Sequence, residues 1–335
     1  MGQILVTGAN GLVGRHLVAR LVREGHRLVL AYRTRPNFPQ PENSVRSFQV
    51  EEVGPKTDWR SGLDGCDAVI HLAAQVPARG ASTDLFRKVN DWGTARLLEQ
   101  VSKAKIGRII LLSSIFSVAD HAEDRPVDDV TSPRPVSAYG RSKLAAEMHV
   151  ASFARTGGIG VSLRPPLVYC GEAGGNWRLL MRLAASPFPL PFAAVDNRRS
   201  LIALENLVDA IVRVVDAGEG AVSGAFAVAD DYPVSLADLV LWLREAVGQR
   251  PHLFGLPPTL MRLALNASGR AGQAQSLFGN LEVDASRFRR IYSWSPAVTT
   301  RDAVMRSGLQ YAALRAGQNR HPADANNPAA NKRRK

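Results

Sequence analysis

The stretch Thr7-Gly8-Ala9-Asn10-Gly11-Leu12-Val13-Gly14 constrains the fold of this chain more than any other. It comes directly after an apolar run at residues 3–7 and directly before an amphipathic pattern at residues 12–24. Gly8 permits a tight turn, Gly11 lets a bound group approach the backbone, and Gly14 lets helix and strand pack closely. The helix start then offers free N–H groups and the positive end of its dipole, which suits a pyrophosphate. A glycine trio alone fits an ordinary turn. Its place between a strand and a helix is what points to a dinucleotide.

The same rhythm continues. Short β-branched or apolar runs at 27–32, 46–50, 68–72, 108–112 and 160–164 read as strands, with helical patterns at 84–103 and 139–156 between them. Strands alternating with helices predict an α/β chain, a Rossmann-type doubly wound parallel sheet covered on both faces. After Pro165-Pro166 the alternation breaks, and residues 186–191 (SPFPLP) read as a loop. Helical patterns at 204–217, 236–247 and 258–266, with one strand at 225–228, then suggest a smaller carboxy-terminal α/β substrate lobe. The expected organisation is a dinucleotide-binding domain at 1–165, mainly a substrate-binding lobe at 166–315, and a disordered basic tail at 316–335. That tail ends HPADANNPAANKRRK, polar and aperiodic. There is no internal repeat.

Composition narrows the function. With 335 residues, 45% hydrophobic and 21% charged, the chain has ordinary globular composition. The formal net charge of +12 raises the question of nucleic acid. Part of that excess sits in the tail, where Arg320, Lys332, Arg333, Arg334 and Lys335 face only Asp324. The remaining arginines are not striped with aromatics, so no nucleic-acid groove is indicated, while a basic body does steer anionic ligands. Cys66 and Cys170 have no metal or redox spacing, which fits reduced thiols in a cytoplasmic protein and no metal site. The first apolar run is too short for a signal peptide, and nothing approaches the roughly 18 apolar residues of a membrane span.

Three further features carry chemistry. No acid stands between Glu24 and Glu42, and Arg33 and Arg35 follow the second strand. A carboxylate there accepts the ribose 2′-OH of NAD, and an arginine meets the 2′-phosphate of NADP, so NADP(H) is favoured and NAD(H) is the alternative. Solvated loop arginines would give the same pattern. Tyr139 and Lys143 lie one helical turn apart, and the ammonium is expected to lower the phenol pKa for proton transfer. In isolation this could be an exposed helical pair. The strand at 108–112, however, delivers Ser113-Ser114 at its carboxyl end, the edge where open α/β sheets bind ligands. Ser114 is the favoured hydroxyl for a substrate oxygen, and Ser113 can serve as a strand-end cap.

The set TGANGLVG, His71-Leu72-Ala73-Ala74, Val89-Asn90 with Gly93-Thr94, Ser113-Ser114 and Tyr-x-x-x-Lys resembles the extended short-chain dehydrogenase/reductases, the NAD-dependent epimerase/dehydratase family. The likeness covers roughly residues 1 to 310, with the motifs in family order. It implies that Gly8, Gly11 and Gly14 hold the pyrophosphate, with Asn10, Leu12 and Val13 in the same turn. Leu72, Ala73 and Ala74 would lie along the cofactor, Asn90 would order its ribose side, and Val53 and Pro166 would line it. Glu51 or Glu52 would take the adenine-contacting place. Tyr139 would be the acid/base, Ser114 its partner on the reacting oxygen, and Lys143 a ligand of the nicotinamide ribose.

The resemblance also limits the reaction. Dehydratases of this family place Asp-Glu directly after the serine or threonine, and here Ile115 and Phe116 cannot move protons. A 4-keto-reductase using NADPH and a 4-epimerase keeping NAD remain, with Arg33 favouring the reductase. A non-catalytic dinucleotide-binding regulator is the alternative of another class, and such relatives typically lose the Tyr or the Lys. Asn197-Arg198-Arg199-Ser200 and Glu205-Asn206-Leu207-Val208-Asp209 resemble the UDP-sugar lobe, with Arg199 on the diphosphate and Asn176 as a second contact. The family pattern departs at Ile115-Phe116-Ser117 and at Val168-Tyr169-Cys170-Gly171, both near the substrate. The carboxy-terminal half looks most like bacterial members of polysaccharide and O-antigen sugar synthesis. Many such relatives form homodimers.

Overall fold

The computed structural model describes residues 2–34, 44–78, 80–122, 125–269 and 271–318. The chain runs through β1 (Gln3–Thr7), α1 (Leu12–Arg23), β2 (Arg27–Tyr32), β3 (Val45–Gln49), the short α2 (Arg60–Leu63) and β4 (Ala68–His71). A continuous helical stretch follows: α3 (Thr83–Phe86), a π-helical segment Arg87–Trp92 and α4 (Gly93–Lys103). Next come β5 (Arg108–Leu112), a 3₁₀ turn Ile115–Ser117, α5 (Ala138–Arg155), β6 (Ile159–Arg164), β7 (Leu167–Tyr169), α6 (Gly175–Ala184) and β8 (Leu201–Ala203). The last third holds α7 (Leu204–Asp216), β9 (Gly224–Ala227), α8 (Leu236–Ala246), α9 (Pro258–Ala267), α10 (Ala271–Phe278), α11 (Ser286–Ile291) and α12 (Thr300–Gln318).

Among the described residues one seven-stranded sheet has the order β3-β2-β1-β4-β5-β6-β9, and every pairing in it is parallel. Its central strands are apolar on both faces, as a sheet covered by helices requires. One face packs Ile4, Val6 and Leu28 against Leu17 and Leu21 of α1 and Leu207 and Ile211 of α7. The other packs Leu5, Val69 and Ile109 against Leu97 and Val101 of α4 and Val150 of α5. The chain leaves β1 toward β2 on one side and returns to β4 on the other. That makes the carboxyl ends of β1 and β4 the switch point at which such sheets open a crevice.

A separate core, with Tyr169, Trp177, Met181, Phe192, Leu239, Leu243, Phe278 and Val304, forms the smaller lobe. It encloses the two-stranded parallel pair β7–β8. Two elements expected in this lobe belong elsewhere. Strand β9 hydrogen-bonds β6 at the edge of the main sheet, and α7 covers that sheet beside α1. The helix expected across 84–103 is interrupted by the π-helical segment. Residues 316–318, expected to open a disordered tail, continue α12, while residues 319–335 and Arg35 lie outside the described residues. No helix among the described residues is long and apolar enough to cross a membrane.

Candidate active site

The glycine turn sets the first wall of the site. Gly8 has φ +71°, a left-handed backbone that favours glycine, and a Cβ there would fall 2.7 Å from the Ala73 nitrogen. A Cβ on Gly14 would lie 2.2 Å from the Gly8 oxygen, so β1 and α1 approach as closely as they do only without one. Gly11 caps α1 with no side-chain hydrogen bond, and the first turn of the helix holds no acid. Those N–H groups and the dipole therefore face the turn uncompensated, as an anion-binding helix start requires. Asn10 donates to the Thr34 carbonyl and ties the turn to the end of β2.

A cleft of about 520 Å³ opens over this turn. Gly8, Asn10, Gly11, Arg33, Glu52, Val53, Leu72, Ala73 and Ala74, all expected at a cofactor, line it together with Tyr32, Lys88 and Val89. Arg33 is exposed at the mouth, and the carboxylate of Glu52 is paired with Lys88 Nζ at 2.7 Å. The end of β2 thus presents a cation and no acid. Leu12 and Val13 pack half-buried against the sheet core and are not in the lining. These residues and the uncapped helix fit a dinucleotide with its phosphates on α1.

Beyond the cleft, Asn90 is buried with both ends of its amide in use. Its oxygen accepts from the Gln75 N–H at 2.7 Å, and its nitrogen donates to the Gln75 carbonyl and to Ser142 Oγ. It staples the loop after β4 to α5. His71, at the end of β4, sits between the hydroxyls of Thr7 and Thr94. Burial, with the Lys143 charge beside it, pushes its pKa down to about 3, which keeps it neutral.

The reacting groups lie on α5 and the β5 edge. Ser137 caps α5 by accepting from the Gly140 N–H, which fixes the first turn carrying Tyr139. Tyr139 is hydrogen-bonded to the Ser114 side chain, and its ring sits edge-on to Phe86 and Phe116 at 5.8 and 6.5 Å. Lys143 is buried and donates to the Leu112 carbonyl at 2.6 Å. The expected lowering of the phenol pKa by Lys143 does not occur. Burial raises Tyr139 to about 12, and the Ser114 hydrogen bond only partly opposes it. Burial also pulls Lys143 down to about 8, against the attraction of Glu147. At neutral pH the site therefore holds a protonated phenol beside an ammonium that titrates just above it. Pro166, expected along the cofactor, is buried two residues beyond β6 and is not in the cleft lining.

One buried group here has no counterpart in the sequence reading. Glu147, one turn beyond Lys143, accepts from Ser113, from Ser117 at 2.7 Å, and from Arg164 through two nitrogens. Ser113 therefore anchors the β5 end to α5 and leaves Ser114 facing the phenol. In the smaller lobe Arg199 is largely buried and donates to the Gly279 carbonyl at 2.9 Å, and desolvation lowers its pKa. Among the described residues no carboxylate pairs with it. Gly279 also lines a cavity of about 460 Å³ with Asn197, Arg262 and Asn280. Asn176 is exposed on the first turn of α6, outside both cavities.

This arrangement has relatives. The model of the NAD dependent epimerase/dehydratase family matches residues 4–229. A UDP-glucose 4-epimerase of Vibrio cholerae is 30% identical over 92% of this chain and 95% of that protein. A 4-hydroxy-2-methyl-3-oxo-4-farnesyl-3,4-dihydroquinoline-1-oxide ketoreductase of Stigmatella aurantiaca is 25% identical over 92% and 91%. The solved UDP-N-acetylglucosamine 4-epimerase of Bacillus cereus has the same fold, with TM-score 0.74 and 20% identity over 93% of this chain and 99% of that one. A glycine-turned parallel sheet, a dinucleotide-sized cleft at its switch point and a Ser-Tyr-Lys set on the adjoining edge thus accompany sequence likeness along most of the chain, which is an enzyme of the NAD dependent epimerase/dehydratase family.

Proposed function

We propose that the enzyme is an NADP(H)-dependent reductase of the 4-keto group of a nucleotide-linked sugar, of the UDP type. The observation that carries the reading is the cationic end of β2 in the cleft, with Arg33 at the mouth and the only nearby lining acid, Glu52, already paired. Such an end suits a 2′-phosphate and disfavours the 2′-OH recognition of NAD. When bound, the cofactor supplies the hydride. Tyr139, fully protonated at neutral pH, donates its proton to the substrate oxygen as negative charge develops there, and Ser114 donates a hydrogen bond to the same oxygen. Lys143, one helical turn along α5 and bonded to the Leu112 carbonyl, would hold the ribose of the bound cofactor. Ile115, buried, and Phe116, against the Tyr139 ring, supply no acid–base pair for eliminating water at those two positions. Arg199, paired with no carboxylate among the described residues, is the residue for the diphosphate, with Asn176, exposed on the first turn of α6, as a second contact.

Arg33→Asp tests the cofactor assignment. It should weaken NADPH by about 10- to 100-fold, the scale of a lost charge-assisted contact, and strengthen NADH. Fluorescence titration of both cofactors reads this directly. Equal affinities of the parent protein for NADH and NADPH would refute the assignment before any variant is made.

The pH profile offers a second test. An ammonium is charged below its pKa, so Lys143 keeps its charge below about pH 8 and loses it above. Tyr139 stays protonated throughout that interval. Reductive turnover should therefore fall as pH rises through about 8. A flat kcat profile from about pH 7 to about pH 9, roughly one unit below and above that midpoint, would mean that the Lys143 charge has no part in turnover.

The second reading is a UDP-sugar 4-epimerase that retains NAD, favoured by the activity of the Vibrio cholerae relative. The same Tyr139, Ser114 and Lys143 would then take and return the proton at one oxygen.

A further inference from the structure

The smaller lobe carries a surface that the reaction does not use. Two stretches of the sequence hold no Asp or Glu at all, residues 173–195 and residues 246–281. They meet in the fold. Buried Arg244 donates to the carbonyls of Arg250 at 2.6 Å, Ser186 at 3.2 Å and Phe188 at 3.3 Å. The Leu190 N–H then donates to the His252 carbonyl at 3.1 Å and the Phe254 N–H to the Leu190 carbonyl at 3.0 Å, joining the two stretches. Out of this junction project Phe188, 71% exposed, and Phe254, 49% exposed.

Helix α9 leads on from it, with Leu260 54% and Leu263 66% exposed. Leu260, Leu263, Ala264 and Ala267 fall at helical spacing on one face, all exposed, while Met261 turns inward to the lobe core. Arg250 and Arg262 in the same stretch are also exposed, the Arg262 guanidinium donating to the Phe278 carbonyl at 2.6 Å. An exposed apolar helix face within a basic, acid-free stretch is the composition of an interfacial segment, whose leucines enter the acyl boundary while nearby arginines meet headgroups. The arginines of two stretches that hold no acid select an anionic surface, since each adds attraction to acidic lipid, with Asp196, just past the first stretch, the acid that shares the Arg262 cavity. A self-associating patch would gain from charges of both signs, and within the two stretches there is one sign.

We propose that this face of the smaller lobe docks the enzyme on a bilayer containing anionic lipid, with Phe188, Phe254, Leu260 and Leu263 as the inserted side chains. The docking is peripheral and salt-sensitive. It also sets the cavity lined by Pro258, Arg262 and Gly279 beside the membrane.

Flotation of the full chain with vesicles of phosphatidylcholine alone, and with phosphatidylglycerol added, tests this. Leu260→Ser/Leu263→Ser alters only exposed side chains, and a full-length variant with Lys332, Arg333, Arg334 and Lys335 all changed to Gln isolates the basic terminus. The parent should partition onto the mixed vesicles at low salt and leave them at high salt. The double leucine variant should partition roughly tenfold less or weaker still, with NADPH affinity unchanged, and the terminal glutamine variant should keep most of the binding. No partition of the parent, equal partition of the leucine variant, or loss only in the terminal variant would each overturn the proposal. So would a solution dimer that the leucine changes dissociate without any vesicle binding, which would assign the face to a second copy of the chain.

Discussion

Tyr139→Phe is expected to lower turnover by about 10²- to 10⁴-fold while leaving NADPH affinity near that of the parent. The phenyl ring keeps the edge contacts to Phe86 and Phe116, so packing around the site survives. What goes is the hydroxyl bonded to Ser114, the proposed proton donor to the substrate oxygen. Because burial holds this phenol protonated, its role in the reductive direction needs no prior titration, and the loss should appear at every pH from 6 to 8, a span of about one unit to either side of neutrality. Steady-state kinetics with cofactor titration separates the two effects. Turnover within a few-fold of the parent would mean that another group delivers the proton.

The second large effect concerns stability. Glu147→Gln should destabilise the fold by about 3–5 kcal/mol, because it leaves the Arg164 guanidinium charged and unpaired in a buried site. Both side chains are almost wholly buried, at 7% and 5% exposure, so solvent does not screen the loss. Glutamine still accepts from Ser113 and Ser117, which confines the damage to the ion pair. Adding Arg164→Met removes the stranded charge and should recover much of the loss. Thermal unfolding followed by circular dichroism would then give a melting temperature of the order of 10 °C below the parent for the single variant, and a smaller deficit for the double. An unchanged single variant would mean that water reaches the pair.

Much of this molecule is legible in its sequence because its central strands are buried on both faces and therefore read as apolar runs. The runs at 3–7, 27–32 and 108–112 coincide with β1, β2 and β5. The strand at 225–228 reads as part of the smaller lobe, whereas β9 joins the main sheet, because its partner, β6, lies far back along the chain and a four-residue run carries no record of a non-local pairing. Strands β7 and β8 have three residues each, too few for any period to register. Helix α12 places Thr300, Ser307 and Gly308 along its inner side, where Trp177 donates to the Ser307 hydroxyl, so its apolar stripe is broken.

The site divides in the same way. Glycines, the Ser-Ser strand end and the Tyr-x-x-x-Lys spacing are local patterns, and the fold brings the turn and its neighbours into one cleft. Glu147 was missed because an acid on a helix ordinarily faces water, and only the packing of α5 on β6 makes it a buried partner of Arg164. The direction of the Tyr139 pKa was misjudged for a related reason. Spacing reveals the neighbouring cation, whereas burial and the turn of Lys143 toward Leu112 decide the outcome.

The central claim is net reduction at carbon 4, and the stoichiometry of cofactor use tests it most directly. A UDP-linked 4-keto-hexose mixed with enzyme and limiting NADPH should consume the absorbance of the reduced cofactor one-for-one with sugar reduced, and NADH should serve much less well. Conversion of UDP-glucose to its 4-epimer without net consumption of either cofactor, by enzyme carrying tightly held NAD, would contradict the account.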